Sequence, residues 1–233
     1  MSSARRLLTV RRNLSILGLK FLHKLTSLQK EPIFKIYGKT FKIHPNVFHP
    51  RWSITSLMLV KNLDVKLGDV VLDMGCGCGI QAIFAAERAF RVVAVDVNPF
   101  AVCLAWENVR LNGLEGKVEV RLGNLFQPIK QNEKFNLIIF NPPYLPVKKS
   151  ERIGGWLEKA WDGGFNGRKV IDKFIMEVEK FLKKNGRVIM VQSTLSNIKK
   201  TFKMFTKKGF SINVLDREKF DFEEIFCFEA AKD

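Results

Sequence analysis

Cysteine is scarce in this chain, with four among 233 residues, at positions 76, 78, 103 and 227. Cys76 and Cys78 stand one residue apart in a glycine-rich loop, and no Cys-x-x-Cys pair occurs. Neither a disulfide framework nor a zinc site is indicated, and a reducing, cytoplasmic compartment is the simplest reading. No apolar run approaches the roughly 20 residues that span a bilayer, so no membrane partner is expected. Internal repeats and low-complexity stretches are also missing. Acid is nearly absent from the start of the chain: residues 1–42 carry ten Lys/Arg against Glu31 alone, or +9 of the total +16.

The remaining composition, 46% hydrophobic and 27% charged, is that of a soluble globular protein. The length suits one large domain with an appendage, divided here into a basic extension, 1–50, and a catalytic domain, 51–233. Charge polarised in this way suggests an anionic partner such as RNA or a ribosomal particle; the other reading is general solubility. Within 1–30, Leu14, Leu17, Phe21, Leu25 and Leu28 recur at helical spacing between Arg and Lys. A retained helix is preferred, while an organelle transit peptide and an RNA-guiding arm also fit.

Alternating apolar and basic residues from Ile33 to Ile43 predict a β-hairpin turning at Gly38-Lys39. A loop with Pro45 and Pro50 follows, then a helix over Ser53–Asn62; the loop is placed either to close over a neighbouring site or as a linker. From Val70 strands and helices alternate, the pattern of a parallel sheet covered on both faces. The expected strands are Val70–Asp73, Arg91–Asp96, Val118–Leu122, Asn136–Asn141 and Arg187–Gln192, closed by Ser211–Leu215 and Glu223–Ala230 as an antiparallel ribbon or near-neighbours. The expected helices are Gln81–Arg88, Phe100–Asn112, Lys169–Lys184 and Ser196–Lys207, the third stopping at Asn185-Gly186.

The first of these strands ends in Asp73-Met74-Gly75-Cys76-Gly77-Cys78-Gly79. Alternate glycines between a strand and a helix let backbone approach a ligand closely. The second strand ends in Asp96-Val97, about 20 positions on, where a carboxylate can accept ribose hydroxyls. The third leads into Gly123-Asn124-Leu125 and the fourth into Asn141-Pro142-Pro143-Tyr144. Pro142 and Pro143 lack N–H groups and stop sheet pairing, leaving Asn141 extended at the strand tip.

In that order and spacing the motifs resemble those of the class I S-adenosylmethionine-dependent methyltransferases. The resemblance implies a Rossmann-like α/β fold with a mostly parallel seven-stranded sheet and an antiparallel last strand. It implies a cofactor site at Asp73, Gly75, Gly77, Gly79, Asp96, Val97, Asn124, Leu125 and Asn141, with Asp73 facing the cationic end of S-adenosylmethionine. Relatives commonly carry Asp where Asn124 stands. Asn-Pro-Pro-Tyr in this family marks enzymes that methylate a planar amide or amino nitrogen. The Asn141 side-chain oxygen and the Pro142 carbonyl would each accept one N–H of the target, and Tyr144 would stack on it. No general base is required before attack, in keeping with three histidines that lie away from this lip, at 23, 44 and 49.

A second stretch, Ala160-Trp161-Asp162-Gly163-Gly164-Phe165-Asn166-Gly167-Arg168, followed by Asp172 and Phe174, is similar to the post-lip loop of the release-factor glutamine N5-methyltransferases, most closely their short eukaryotic and archaeal-type branch. This implies a release factor with a Gly-Gly-Gln loop as substrate, gripped by Trp161, Asn166 and Arg168; a helix-capping turn packed by Trp161 is the competing structural reading. It also implies a small zinc-binding activator adding strands to the sheet edge at Val118–Leu122, beside Cys103 and Trp106. One departure stands out: relatives have an acidic residue then Ser/Thr after the proline matching Pro50, whereas this chain has Arg51-Trp52-Ser53-Ile54-Thr55. A basic, aromatic approach with Trp52 at the substrate suits an anionic acceptor, so an RNA base N-methyltransferase is the alternative. A lysine methyltransferase and a non-catalytic RNA-binding scaffold are more distant readings.

Overall fold

The computed structural model describes residues 33–50, 53–152 and 154–232. The basic segment 1–30 and Trp52 lie outside the described residues. The chain opens with a hairpin, β1 (Ile33–Ile36) and β2 (Lys39–Lys42). Its turn is Tyr37-Gly38, one residue earlier than the expected Gly38-Lys39, because these two take positive φ of 45° and 82°, the geometry that matches strand twist in a two-residue turn.

A seven-stranded sheet follows, built from β3 (Val70–Met74), β4 (Arg91–Asp96), β5 (Val118–Leu122), β6 (Phe135–Phe140), β7 (Leu182–Ser193), β8 (Ser211–Lys219) and β9 (Glu224–Ala231). Its order is β5-β4-β3-β6-β7-β9-β8. All pairings from β5 to β7 are parallel, and β9 runs antiparallel to both β7 and β8, so the last strand is the reversed one. The interior strands are apolar on both faces because both are covered. Val71, Val92, Leu137 and Ile189 enter one core with residues of α1 (Ile54–Lys61), α2 (Ile80–Ala85) and α3 (Pro99–Leu111). Leu72, Val93, Ile138 and Val188 enter the other, against α5 (Lys169–Glu177) and α6 (Ile198–Lys207). A short α4 (Gly155–Glu158) lies between.

The predicted helix Lys169–Lys184 stops well short of its expected end. Instead of reaching Lys184, α5 ends at Glu177 and a 3-10 turn leads directly into β7 at Leu182. Phe181 stacks on Phe126 at 4.4 Å, and Leu182 already pairs with Phe135. The next sheet pair is Leu137 with Arg187, so residues between bulge out, with Asn185 at a φ of 58°. Tertiary pairing with β6 thus overrides the helical spacing that continues through Val178, Phe181 and Leu182.

The hairpin is fastened to α3. Buried Asn108 accepts the Lys42 N–H at 2.7 Å and donates to the carbonyl of Cys78 at 2.9 Å. Asn112 accepts the Thr40 N–H at 3.1 Å and returns an N–H to its carbonyl at 2.8 Å. Among the described residues no helix is long and apolar enough to cross a membrane.

Candidate active site

Strand order reverses beside β3, and the C-terminal ends of β3, β4 and β6 open there into a cavity of about 610 Å³, the usual place for a ligand in an open α/β sheet. The loop Gly75–Gly79 forms its floor. The N–H groups of Gly75 and Cys76 both donate to the Val95 carbonyl, at 2.7 and 3.0 Å. Gly77 (φ 55°) and Gly79 (φ 84°) adopt left-handed backbone, but their surroundings differ. A Cβ on Gly79 would stand 3.2 Å from Ala105 Cβ, whereas one on Gly77 would meet no atom within 4 Å. Gly79 is therefore glycine for packing against α3, and Gly77 for an open approach to the cavity.

Asp96, at the end of β4, binds this loop. One carboxylate oxygen accepts the Gly77 N–H and the other accepts the Asn98 N–H, both at 2.8 Å. Burial pushes its pKa up, against the pull of those bonds. Val97, Asn124 and Leu125 line the same side, and Leu125 holds a φ of 51° to do so. Asp73 does not. It is 1% exposed, is absent from the lining, and accepts the Ala82 N–H at 3.0 Å. Its carboxylate ties down the first turn of α2 from beneath, and burial pushes its pKa up to about 7. The expectation that it faces a cationic ligand is corrected.

The lip closes the opposite side. Asn141 and Pro143 line the cavity, as does Phe140. The Asn141 amide nitrogen donates to Thr55 Oγ1 at 3.1 Å and to Ser56 Oγ at 3.3 Å, and this leaves Oδ1 without a bond from the described residues. Pro142 is buried beneath the lip, and its carbonyl accepts no backbone N–H from the described residues. Tyr144 is not in the lining; burial, with the Glu223 carboxylate nearby, pushes the pKa of its hydroxyl up. Its ring packs with the core, so the stacking expected of it is not the arrangement seen.

The post-lip loop is pinned alongside the lip through Leu145 N–H to the Trp161 carbonyl (3.0 Å) and Val147 N–H to the Gly164 carbonyl (2.9 Å). Trp161 packs with Leu145, Val147 and Leu157, edge-on to Phe48. Asn166 is exposed and its side chain accepts the Arg168 N–H at 3.1 Å. Arg168 is 3% exposed and donates to Asp172, to the Ser196 and Asn197 carbonyls and to Thr201, at 2.6–2.9 Å. None of the three lines the cavity. The expected substrate grip is a structural clamp joining α5 to α6, because a guanidinium with every donor occupied is free for nothing else.

Other residues enter that the motifs do not name. Val47, Phe48 and Pro50 form a wall, held by the Asn98 amide bond to the Asn46 carbonyl at 2.8 Å; the paired prolines were the signal. Arg152, Lys159, Lys169 and Lys173 stand at the mouth, with Arg152 paired to Asp162 at 3.2 Å and Lys159 over the Trp156 ring at 3.9 Å. Thr55 and Ser56 had no signal beyond the helix start. The thiols of Cys76 and Cys78 are buried and their pKa values raised by that burial, and the described residues hold no cluster fit for a metal ion.

Residues 38–155 match the family described as Methyltransferase small domain. Among curated proteins, a Methanocaldococcus jannaschii protein provisionally named a protein N5-glutamine methyltransferase is 40% identical over 85% of this chain and 98% of its own length. The Aquifex aeolicus release factor glutamine methyltransferase is 32% identical over 76% of this chain and 65% of its own. Among solved structures, the M. jannaschii tRNA m1G37 methyltransferase superposes with a TM-score of 0.64 at 23% identity, over 88% of this chain and 58% of that one. A chain of the E. cuniculi Mtq2–Trm112 complex, which methylates the termination factor eRF1, superposes at 0.59 with 20% identity, over 81% and 99%. At those identities the two structures speak to fold alone.

Proposed function

We propose that this chain, which belongs to the methyltransferase small domain family, is an S-adenosylmethionine-dependent N-methyltransferase that modifies the side-chain amide of a glutamine in a translation release factor. The observation that carries the reading is the Asn141 amide: its nitrogen is tied to two hydroxyls, so its oxygen is left as an acceptor at the cavity. An acceptor oxygen beside a glycine-floored cavity suits a target that presents N–H groups.

The residues fit the cofactor. Open space over Gly77 admits a ligand against the backbone, the Asp96 carboxylate stands where a diol can bind, and Val97, Asn124 and Leu125 offer a flat, partly apolar flank. Bound there, S-adenosylmethionine supplies a methyl group on a sulfonium leaving group. An amide nitrogen is a poor nucleophile because its lone pair is delocalised into the carbonyl. With one N–H held by Asn141 Oδ1 and the other by the Pro142 carbonyl, the lone pair is aimed and the nitrogen is favoured to become tetrahedral. The proton becomes acidic only as the new bond forms, so no base is needed beforehand.

The glutamine target rests on the named relatives, the M. jannaschii and A. aeolicus proteins. The second reading, an RNA base, is favoured by one observation: four cations, Arg152, Lys159, Lys169 and Lys173, line the mouth. Partnership with a small zinc-binding activator is part of the proposal, as are the division at residue 50 and a cytoplasmic setting. β5 is an edge strand, with Leu122 56% and Trp106 41% exposed beside it. A methyl-transfer assay with labelled cofactor, offering release factor and total RNA separately, with and without the activator, tests the reading. Label on the release factor is expected, and Asn141→Ala should abolish it while cofactor affinity holds. Label on RNA alone would overturn the acceptor, and turnover by Asn141→Ala would overturn the role of the lip.

A further inference from the structure

Asn141 can serve its target only in one of its two amide orientations, and the start of α1 determines which. Ser53 caps that helix, and its hydroxyl oxygen accepts both the Ser56 N–H at 3.1 Å and the Ser56 O–H at 2.8 Å. Both of its lone pairs are then occupied. In the 3.0 Å contact between Ser53 Oγ and Thr55 Oγ1, the proton must therefore belong to Ser53. Ser56 has already given its proton to Ser53. Ser56 therefore has no hydrogen left for Asn141 and can only accept from it, while Thr55 accepts from Ser53 and keeps a lone pair for the Asn141 amide. An Asn141 turned to present Oδ1 to them would set it against the Ser56 oxygen with no hydrogen between, whereas the amide nitrogen supplies one N–H to each.

We infer that Thr55 and Ser56 are positioning residues of the transferase, which fix the flip of the Asn141 amide so that Oδ1 faces the target nitrogen. The polarity originates in the helix cap Ser53 and reaches the lip through the hydroxyls of Ser56 and Thr55, 85 and 86 residues from Asn141 in sequence. This inference rests on the reading of Asn141 as acceptor for a planar NH₂ group. Its cost when lost is a misaimed clamp, an error of the kind that lowers turnover by about tenfold or more without altering the cofactor floor.

The test has an arm that needs no acceptor substrate. In full-length ¹⁵N-labelled protein, the Asn141 side-chain NH₂ should appear as a distinct pair of resonances with slowed solvent exchange. That protection should vanish in the Thr55→Val/Ser56→Ala double variant, with cofactor affinity by calorimetry within twofold as proof of an intact fold. In the transfer assay the double variant should lose at least about tenfold in kcat with little change in cofactor KM. Thr55→Ser, which keeps the hydroxyl, should restore it. An exposed, freely exchanging Asn141 amide in the unmodified protein would overturn the inference, and so would a double variant whose kcat stays within threefold. If the amide is protected but no methyl reaches a release factor, the proposed acceptor falls while the clamp stands.

Discussion

Asp96 holds Gly77 by its backbone: the carboxylate accepts the Gly77 N–H at 2.8 Å while its second oxygen takes that of Asn98. The acid that would bind the cofactor's ribose is thus also the acid that shapes the loop beneath it. Asp96→Ala removes both actions, and cofactor Kd is expected to rise at least tenfold, about 1.4 kcal/mol. Gly77→Ala should weaken binding by a different route. Its Cβ enters open space over the cavity floor and its φ of 55° adds about 1–2 kcal/mol of backbone strain. Calorimetry with the cofactor checks both, and a Kd within twofold of the unmodified protein would contradict the assignment of this face.

Asp73 predicts a pH dependence of stability. Unfolded, its carboxyl ionises near its ordinary value of 3.8; folded, burial holds the proton until about pH 7. The stabilising contribution of this raised pKa is fully present below about pH 4 and is lost as pH rises through 7. Asp73→Asn keeps a carbonyl for the Ala82 N–H and has no proton to lose. Its melting temperature, measured against the unmodified protein at several pH values, should gain ground between pH 4 and 7 and run parallel above that. A constant offset across the range would argue that Asp73 is not buried as described.

Arg168 predicts a stability effect in place of a substrate effect. Arg168→Met removes the hydrogen bonds to Asp172, Thr201 and the Ser196 and Asn197 carbonyls, at a cost of about 2–4 kcal/mol, which a thermal or denaturant melt will read. Asn166→Ala removes only an exposed local bond and should leave acceptor KM within twofold. A large KM change for Asn166→Ala with an unchanged melting temperature would restore the peptide-gripping role.

The motifs located these features well and oriented them poorly. β4 was readable to the residue because a buried strand between two layers is an apolar run bounded by turn residues, and β5 because an edge strand alternates apolar with charged residues. α5 was read too long, since Val178, Phe181 and Leu182 continue the helical period while packing against Phe126 and Phe135. Arg168 was placed at the correct helix start and Asp73 at the correct strand end, but the sequence there does not say which way a side chain faces. Thr55 and Ser56 look like the ordinary start of a helix; their meaning lies in Asn141, a contact that only folding creates.

Asn108 has a consequence for how the chain is made. Its one side chain serves the hairpin at Lys42 and the glycine loop at Cys78, and it follows Lys42 by 66 residues. A lone two-stranded hairpin is marginal in water, so β1 and β2 leave the ribosome without their anchor. At roughly 5–20 residues per second, several seconds of synthesis pass before Asn108 follows. During that interval the basic extension is tethered to an undocked hairpin, and the hairpin can dock only once the cofactor half of the sheet has emerged.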